Sequence, residues 1–294
     1  MSFGPRHGEQ PGVIVGDDIV AVRPILTAAA LPCATIIDVL AVWPLAEPVL
    51  RAALDGADRI PLAGVRLGSP VPRPGTIVAI GFNYPSHTAE ALASAPPAGP
   101  PIVFLKPPGS VSGPNDAIIR PPETLALDYE VELAVVIGMP GRRIPRASAA
   151  RHIAGYMLAN DVTARDVAFG LGLDYPLHLQ VARGKGFQTF CPLGPWLVTS
   201  DELPADPVFD LRLAVNGETR QNGSTAEMAV DLAGLIESVS ATMELRPGDV
   251  ILTGTPAGCG FQMSPPRFLT PGDRVTAGGT SLGEMSMLIE DEHV

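Results

Sequence analysis

The stretch LDYEVELAVVIG, residues 127–138, restricts what this chain can become more than any other. It alternates like a β-strand, yet Glu130 and Glu132 stand two apart within it. Side chains at i and i+2 of a strand share a face, roughly 7 Å apart along the chain. Val131, Leu133, Val135 and Ile137 hold the alternate positions and run on into an apolar segment. A strand of this kind is expected to be buried. Two anions so close repel each other unless a cation lies between them. A solvated strand face would show the same Glu-x-Glu spacing, but the apolar context argues against solvating both. A hard divalent ion with carboxylate ligands resolves the conflict.

Other segments offer groups that such an ion would need. Asp161, in GYMLANDVTARD, ends an apolar strand-like run. There it either completes a three-oxygen set or caps the segment that follows. Asp166, a few residues on, reads as structural. His87 and Glu90, in GFNYPSHTAE, are spaced as neighbours on a helix. A carboxylate beside an imidazole suits a general base, although a surface pair has the same spacing. Lys185 sits between glycines in RGKGF, where the backbone can approach a ligand closely. It reads either as a contact for an anionic substrate group or as a solvated lysine. TGTPAG, residues 253–258, follows a strand and can present Thr255 and backbone N–H groups to an oxyanion. It is no phosphate-binding P-loop, because no Gly-Lys-Ser/Thr follows. The chain has no G-x-S-x-G, H-E-x-x-H or C-x-x-C, and its five histidines are scattered.

With 294 residues, 46% of them hydrophobic, the chain can bury a large core. Its 31 glycines and 32 prolines fall in no low-complexity tract and imply many turns between short elements. Strand signals dominate after residue 70: TIVAIG, PIVFLK, IAGYMLAND, PWLVT, DLRLAVNG and DVILTG. One amphipathic helix is expected over Leu232, Leu235, Ile236, Val239 and Met243, with Asp231 as its N-cap. The expected class is mainly β with α segments packed around it (α+β). Residues 1–70 read as a small N-terminal domain, with a helix near AEPVLRAALDGA, and residues 71–294 as the main domain.

A formal charge of −11 disfavours nucleic acid and anionic membranes as partners. Cys33, Cys191 and Cys259 lack metal-ligand spacing and are odd in number, which suits a reduced, cytoplasmic compartment. The N-terminus has no apolar signal core, and the stretch around residues 24–45 is broken by Pro32, Asp38 and Pro44.

Eight segments in order carry a resemblance. They are GFNYPSHTAE, FLKPPGSVSGPND, LDYEVELAVVIG, AGYMLANDVTARD, GKGFQTFCPLGPWLVT, VNGETRQNGST, LRPGDVILTGTPAGCG and LTPGDRV. Together they resemble the fumarylacetoacetate hydrolase family from about Pro74 to the C-terminal strand, with residues 1–70 similar to the leading domain of longer bacterial members. The resemblance implies a mixed β-roll, a homodimer, and one Mg²⁺ (in some members Mn²⁺ or Ca²⁺) held by Glu130, Glu132 and Asp161. It makes His87 and Glu90 the water-activating pair, on a segment that often acts as a lid. It makes Lys185, Arg165, Thr255 and Lys106 the residues that line the site and hold a keto-acid substrate. The implied reaction is metal-dependent hydrolysis of a carbon–carbon bond in a β-diketo or acylpyruvate-type acid. Alternatives on the same scaffold are decarboxylation of oxaloacetate, isomerisation of a 2-hydroxy-diene-dioate, and ligand binding without catalysis. The chain departs from the family at Ala168, where many relatives have glutamine, and across residues 168–183. Both changes bear on substrate choice.

Overall fold

A computed structural model of the protein describes residues 1–91, 99–170 and 179–293. His178 and part of the divergent 168–183 segment lie outside the described residues.

The first 68 residues form an antiparallel sheet in the order β4-β3-β2-β1-β5. Its strands are β1 (Ser2–Phe3), β2 (Gln10–Val15), β3 (Asp18–Ala21), β4 (Ile60–Pro61) and β5 (Leu67–Gly68). Helices α1 (Val22–Ala28), α2 (Ile36–Ala41) and α3 (Trp43–Ala53) pack beside it. The helix expected near AEPVLRAALDGA starts earlier, at Trp43, because Pro44 falls in the first turn, where a missing N–H is no loss. Thr35 and Asp38 close a capping box at the start of α2.

The chain then runs through β6 (Ile77–Gly81), α4 (Pro85–Ala91), β7 (Ile102–Lys106), β8 (Val111–Ser112) and β9 (Ile118–Arg120). Next come β10 (Leu127–Asp128), β11 (Val131–Ile137), β12 (Ile153–Asn160), β13 (Thr163–Ala164), α5 (Arg165–Phe169) and α6 (Val181–Gly184). The last elements are β14 (Cys191–Thr199), β15 (Asp210–Val215), β16 (Glu218–Ser224), α7 (Leu232–Thr242), β17 (Val250–Leu252), β18 (Arg274–Gly279) and β19 (Gly283–Asp291). A seven-stranded mixed sheet has the order β7-β6-β17-β11-β12-β14-β8, and a five-stranded one the order β16-β15-β18-β19-β9.

Strand β11 is buried on both faces. Val131, Leu133, Val135 and Ile137 enter a core shared with β15, β18, β19 and α7. Ala134 and Val136 face the other way, into a cluster that Ile36 and Leu40 of α2 help to close. Helix α2 thus packs on the same face of β11 as the acids, further along the strand. Helix α7 forms where its periodicity places it, with Asp231 accepting from Gly234 N–H at 2.9 Å. Asn216 and Gly217 take φ values of 52° and 82°, as a type I′ hairpin between β15 and β16 requires. Gly248 and Gly272, each after a proline, have positive φ, and Asp249 and Asp273 close the two turns onto Arg246 N–H and Thr270 N–H. Among the described residues, no helix is long and apolar enough to cross a membrane.

Gly155 of β12 is the tightest point of the central ladder, because an added Cβ would lie 2.2 Å from the Val198 carbonyl oxygen. Gly155→Ala is expected to cost about 1–3 kcal/mol through overpacking. Urea unfolding should show a lower midpoint with an unchanged slope.

Candidate metal centre

One ladder brings the three acids together. β11 and β12 pair antiparallel, with Glu132 opposite Ala159 and Val131 opposite Asn160. One step on, Asp161 N–H donates to the Glu130 carbonyl at 2.8 Å. Opposite residues of an antiparallel pair share a face, so the register delivers Asp161 beside Glu130. Glu130 lies just before β11 rather than inside it. Its N–H donates to Asn160 Oδ1 and that of Val131 to Gln221 Oε1, each at 2.9 Å. Carboxylate oxygens of Glu130, Glu132 and Asp161 lie within 4.8 Å of one another, and all three residues are buried.

Three basic side chains enter the same cluster. Lys185 Nζ, just after α6, lies 2.5 Å from Glu130 Oε2 and 2.7 Å from Asp161 Oδ2. Arg165, the first residue of α5, donates from Nη2 to Glu130 and from Nε to Asp128. Lys106 Nζ, at the end of β7, is 2.7 Å from Asp161 Oδ1, though not aligned as a hydrogen bond. Burial alone would push Glu130 up, but Arg165, Lys185 and His87 outweigh it and hold its carboxyl below the usual range. The lysine and the guanidinium respond in kind. Burial opposes their charge, yet Asp161 and Glu130 raise Lys185, and Glu130 and Asp128 raise Arg165.

Glu132 is the exception. It accepts from Gly254 N–H at 2.7 Å and has no basic partner among the described residues. Burial, then Asp161 and Glu130, push its carboxyl well above the ordinary range. The Tyr84 hydroxyl, raised by burial and then by Glu132, is buried with no hydrogen-bond partner among the described residues. The cluster holds four buried acids (Asp128, Glu130, Glu132, Asp161) against three buried cations (Lys106, Arg165, Lys185). An all-oxygen donor set with an uncompensated carboxylate fits a hard divalent cation such as Mg²⁺, Mn²⁺ or Ca²⁺. Glu130, Glu132 and Asp161 would hold it. Its charge would turn the deficit into an excess of one positive charge, suited to an anionic substrate.

His87, on α4, is buried and stacks on Phe82 at 5.4 Å. A ring nitrogen lies within 4.8 Å of a Glu130 carboxylate oxygen and of Cys259 Sγ. Burial lowers the imidazole pKa, against a smaller opposing pull from Glu130, so the ring is neutral and able to take a proton. Glu90 is on the same helix, but its Oε2 accepts from Gly258 N–H at 3.0 Å, and among the described residues it makes no hydrogen bond to His87. Cys259 Sγ instead lies 3.9 Å from His87 Nδ1. Thr255 donates its one hydroxyl proton to Val131 O at 2.8 Å and accepts from Gln221 Nε2 at 2.8 Å. Its place is beside the acids, with that proton spent on the strand.

The glycines around Lys185 have a reason that spacing did not show. A Cβ on Gly184 would lie 2.5 Å from the Ala168 Cβ, so α6 packs directly on α5. A glutamine at 168 would meet the same contact. Asp166 is structural, accepting from Thr124 Oγ1 and Leu125 N–H. Sequence reasoning missed Asp128, Asn160, Gln221 and Cys259. Asp128 extends the alternation to Asp-x-Glu-x-Glu, which was a visible signal. The other three are drawn in by long-range contacts.

The model of the family described as fumarylacetoacetate (FAA) hydrolase C-terminal matches residues 76–289. A solved structure described as a probable 2-hydroxyhepta-2,4-diene-1,7-dioate isomerase from Mycobacterium abscessus is 45% identical, with a TM-score of 0.83, covering 100% of this chain and 98% of that one. Maleylpyruvate hydrolase from Sphingobium sp. SYK-6, solved with manganese(II) and pyruvate, is 32% identical with a TM-score of 0.80 over 100% of both chains. Fumarylacetoacetate hydrolase from Exiguobacterium antarcticum is 34% identical with a TM-score of 0.82, covering 99% of this chain and 98% of that one.

Metal binding should show in stability. At a hundredfold excess over Kd, Mn²⁺ is expected to stabilise the protein by about 2.7 kcal/mol, and Glu132→Gln should abolish the thermal shift. Without metal the sign reverses. Because the folded state raises the pKa of Glu132, its ionisation weakens folding as pH climbs above the ordinary carboxylate range. The metal-free Glu132→Gln variant should therefore gain on the metal-free wild type as pH rises toward neutrality, read by denaturant titration at several pH values.

Proposed function

The chain belongs to the fumarylacetoacetate hydrolase family, and from that premise we propose that it is a divalent-metal-dependent hydrolase cleaving a carbon–carbon bond in a β-diketo or acylpyruvate-type acid. The carrying observation is Glu132, a buried carboxylate with no basic partner among the described residues, beside two paired carboxylates and a neutral buried imidazole. A divalent cation bound by the three acids supplies Lewis acidity to the substrate's carboxylate and keto oxygens.

The remaining work falls to the chain. His87 takes a proton from a water molecule at a ring nitrogen, and the hydroxide so formed attacks the acyl carbonyl carbon. The bond to the methylene carbon then breaks, giving a carboxylic acid and a pyruvate-type enolate that is protonated to the keto acid. Arg165 keeps its Nη1 hydrogens without a partner among the described residues, directed to one anionic oxygen of the substrate. Lys185 and Lys106 hold Glu130 and Asp161 in their positions and balance their charge. Glu90 ties α4, and with it His87, to the turn at Gly258.

A second reading, isomerisation of a 2-hydroxy-diene-dioate, is favoured by the similarity to the Mycobacterium abscessus structure of that description. It needs His87 to move a proton between two carbons instead of from water. Turnover of acylpyruvates, oxaloacetate and a hydroxy-diene-dioate with Mg²⁺ or Mn²⁺, followed by product analysis, separates the reactions. Acid plus pyruvate supports hydrolysis, whereas a shifted double bond or CO₂ alone refutes it.

We also propose a homodimer joined at β7, the edge of the seven-stranded sheet. Ile102, Val103 and Leu105 there are 49%, 40% and 46% exposed, an apolar edge strand poorly suited to water on either face. Val103→Lys should shift the mass measured by light scattering from dimer to monomer. His87→Gln should lower kcat by about 10²–10⁴ while leaving Mn²⁺ binding intact. Since burial lowers the pKa of His87 and the base must be unprotonated, kcat/KM should rise with pH with its midpoint below the ordinary histidine value of about 6.5.

A further inference from the structure

Beyond the acids, two partly exposed aromatic rings lie against the cluster. Phe169 ends α5 and Phe261 follows the Cys259 turn. Their rings stack at 6.4 Å between centroids and 26° between planes. Both are 37% exposed, and neither joins a core cluster. Each ring lies against the buried Arg165 guanidinium, with Cζ 6.0 Å from Phe169 and 5.6 Å from Phe261. The two rings therefore sit one residue away from the carboxylates, on the open side of Arg165.

The basic groups of the cluster itself are already committed. Arg165 is paired with Asp128 and Glu130, Lys185 with Glu130 and Asp161, and Lys106 with Asp161. Arg165 Nη1 can serve one anionic group. A second carboxylate at the far end of a substrate would lose water against two apolar rings that offer it no hydrogen bond. An alkyl or aryl group there would instead remove apolar surface from water and stack on the exposed rings.

We propose that Phe169 and Phe261 form an aromatic subsite selecting substrates whose end remote from the reacting carboxylate is apolar, an alkyl or aryl acyl group, over dicarboxylates. The inference rests on the acylpyruvate reading for the head of the substrate and adds the identity of its tail. On hydrolysis the released acid carries that tail, so the reaction that supplies the substrate must produce a hydrophobic acylpyruvate.

The test uses the full-length protein loaded with Mn²⁺ and three substrates: benzoylpyruvate, acetylpyruvate and fumarylpyruvate. Wild type should favour benzoylpyruvate over fumarylpyruvate at least about tenfold in kcat/KM. Phe169→Ala and Phe261→Ala should each cut the benzoyl-to-acetyl ratio about tenfold, mostly through KM. Phe261→Leu, a milder change, should keep part of the preference. A preference for fumarylpyruvate overturns the proposal. So does an equal loss on every substrate in the variants, which would assign the rings to shielding Arg165. If no acylpyruvate is turned over, the reaction reading fails by itself, and calorimetry with phenylpyruvate and oxaloacetate still decides the subsite. Tighter phenylpyruvate binding, weakened by Phe261→Ala, sustains it; tighter oxaloacetate binding, or no effect of the substitution, overturns it.

Discussion

Four carboxylates and three basic groups share one water-poor cluster, and the missing positive charge governs how everything near it is built. Removing a single ion from water costs several kcal/mol even after relaxation, so such a cluster survives only where each member is held against a partner. Arg165 and Lys185 each span two acids, which ties α5, α6, β10 and β12 into one electrostatic unit. Glu132 stands outside that pairing, with a single backbone N–H to accept from. The rest of the site makes sense as a scaffold that presents this one strained carboxylate, with two satisfied neighbours, to a cation.

The scaffold must therefore be stiff where the acids are and open where the substrate enters. Strand β11 meets the first need because it is buried on both faces and flanked by β12 and β17. The second is met by two short elements, α4 and the turn after β17, which carry His87 and Cys259 and are joined by the hydrogen bond from Gly258 to Glu90. The base thus sits on a short helix held by Glu90, by Asn83 just before it and by the stack of His87 on Phe82, apart from the core strand that carries the acids.

Much of this was legible in the order of residues. Glu130 and Glu132 were readable because period-two alternation survives in an all-apolar strand, and Asp161 because it ends the next one. The Asp231 cap and the Asn216–Gly217 turn are local, so sequence alone specifies them. The partner of Glu90 was not legible. Spacing of i and i+3 makes two residues neighbours but does not say what else competes for the carboxylate, and here Gly258 N–H takes it. The partners of Thr255 were not legible either, because Gln221 and the Val131 carbonyl come from strands distant in sequence. Asp128 was hidden in plain view, as the start of a strand rather than a member of the cluster.

The departure at Ala168 follows from the same geometry. Helix α5 supplies Arg165, and α6 places Lys185 immediately after its last residue, so the two cations that share Glu130 are set by how closely the helices approach. That approach is backbone-close, because Gly184 has no room for a Cβ above Ala168. A longer side chain at 168 would have to find room in this joint without moving Lys185 from Glu130 and Asp161. The small residue is thus coupled to the lysine position rather than a lost contact. In this chain the small residue at 168 goes with a close joint between the helices that hold the site's charges together.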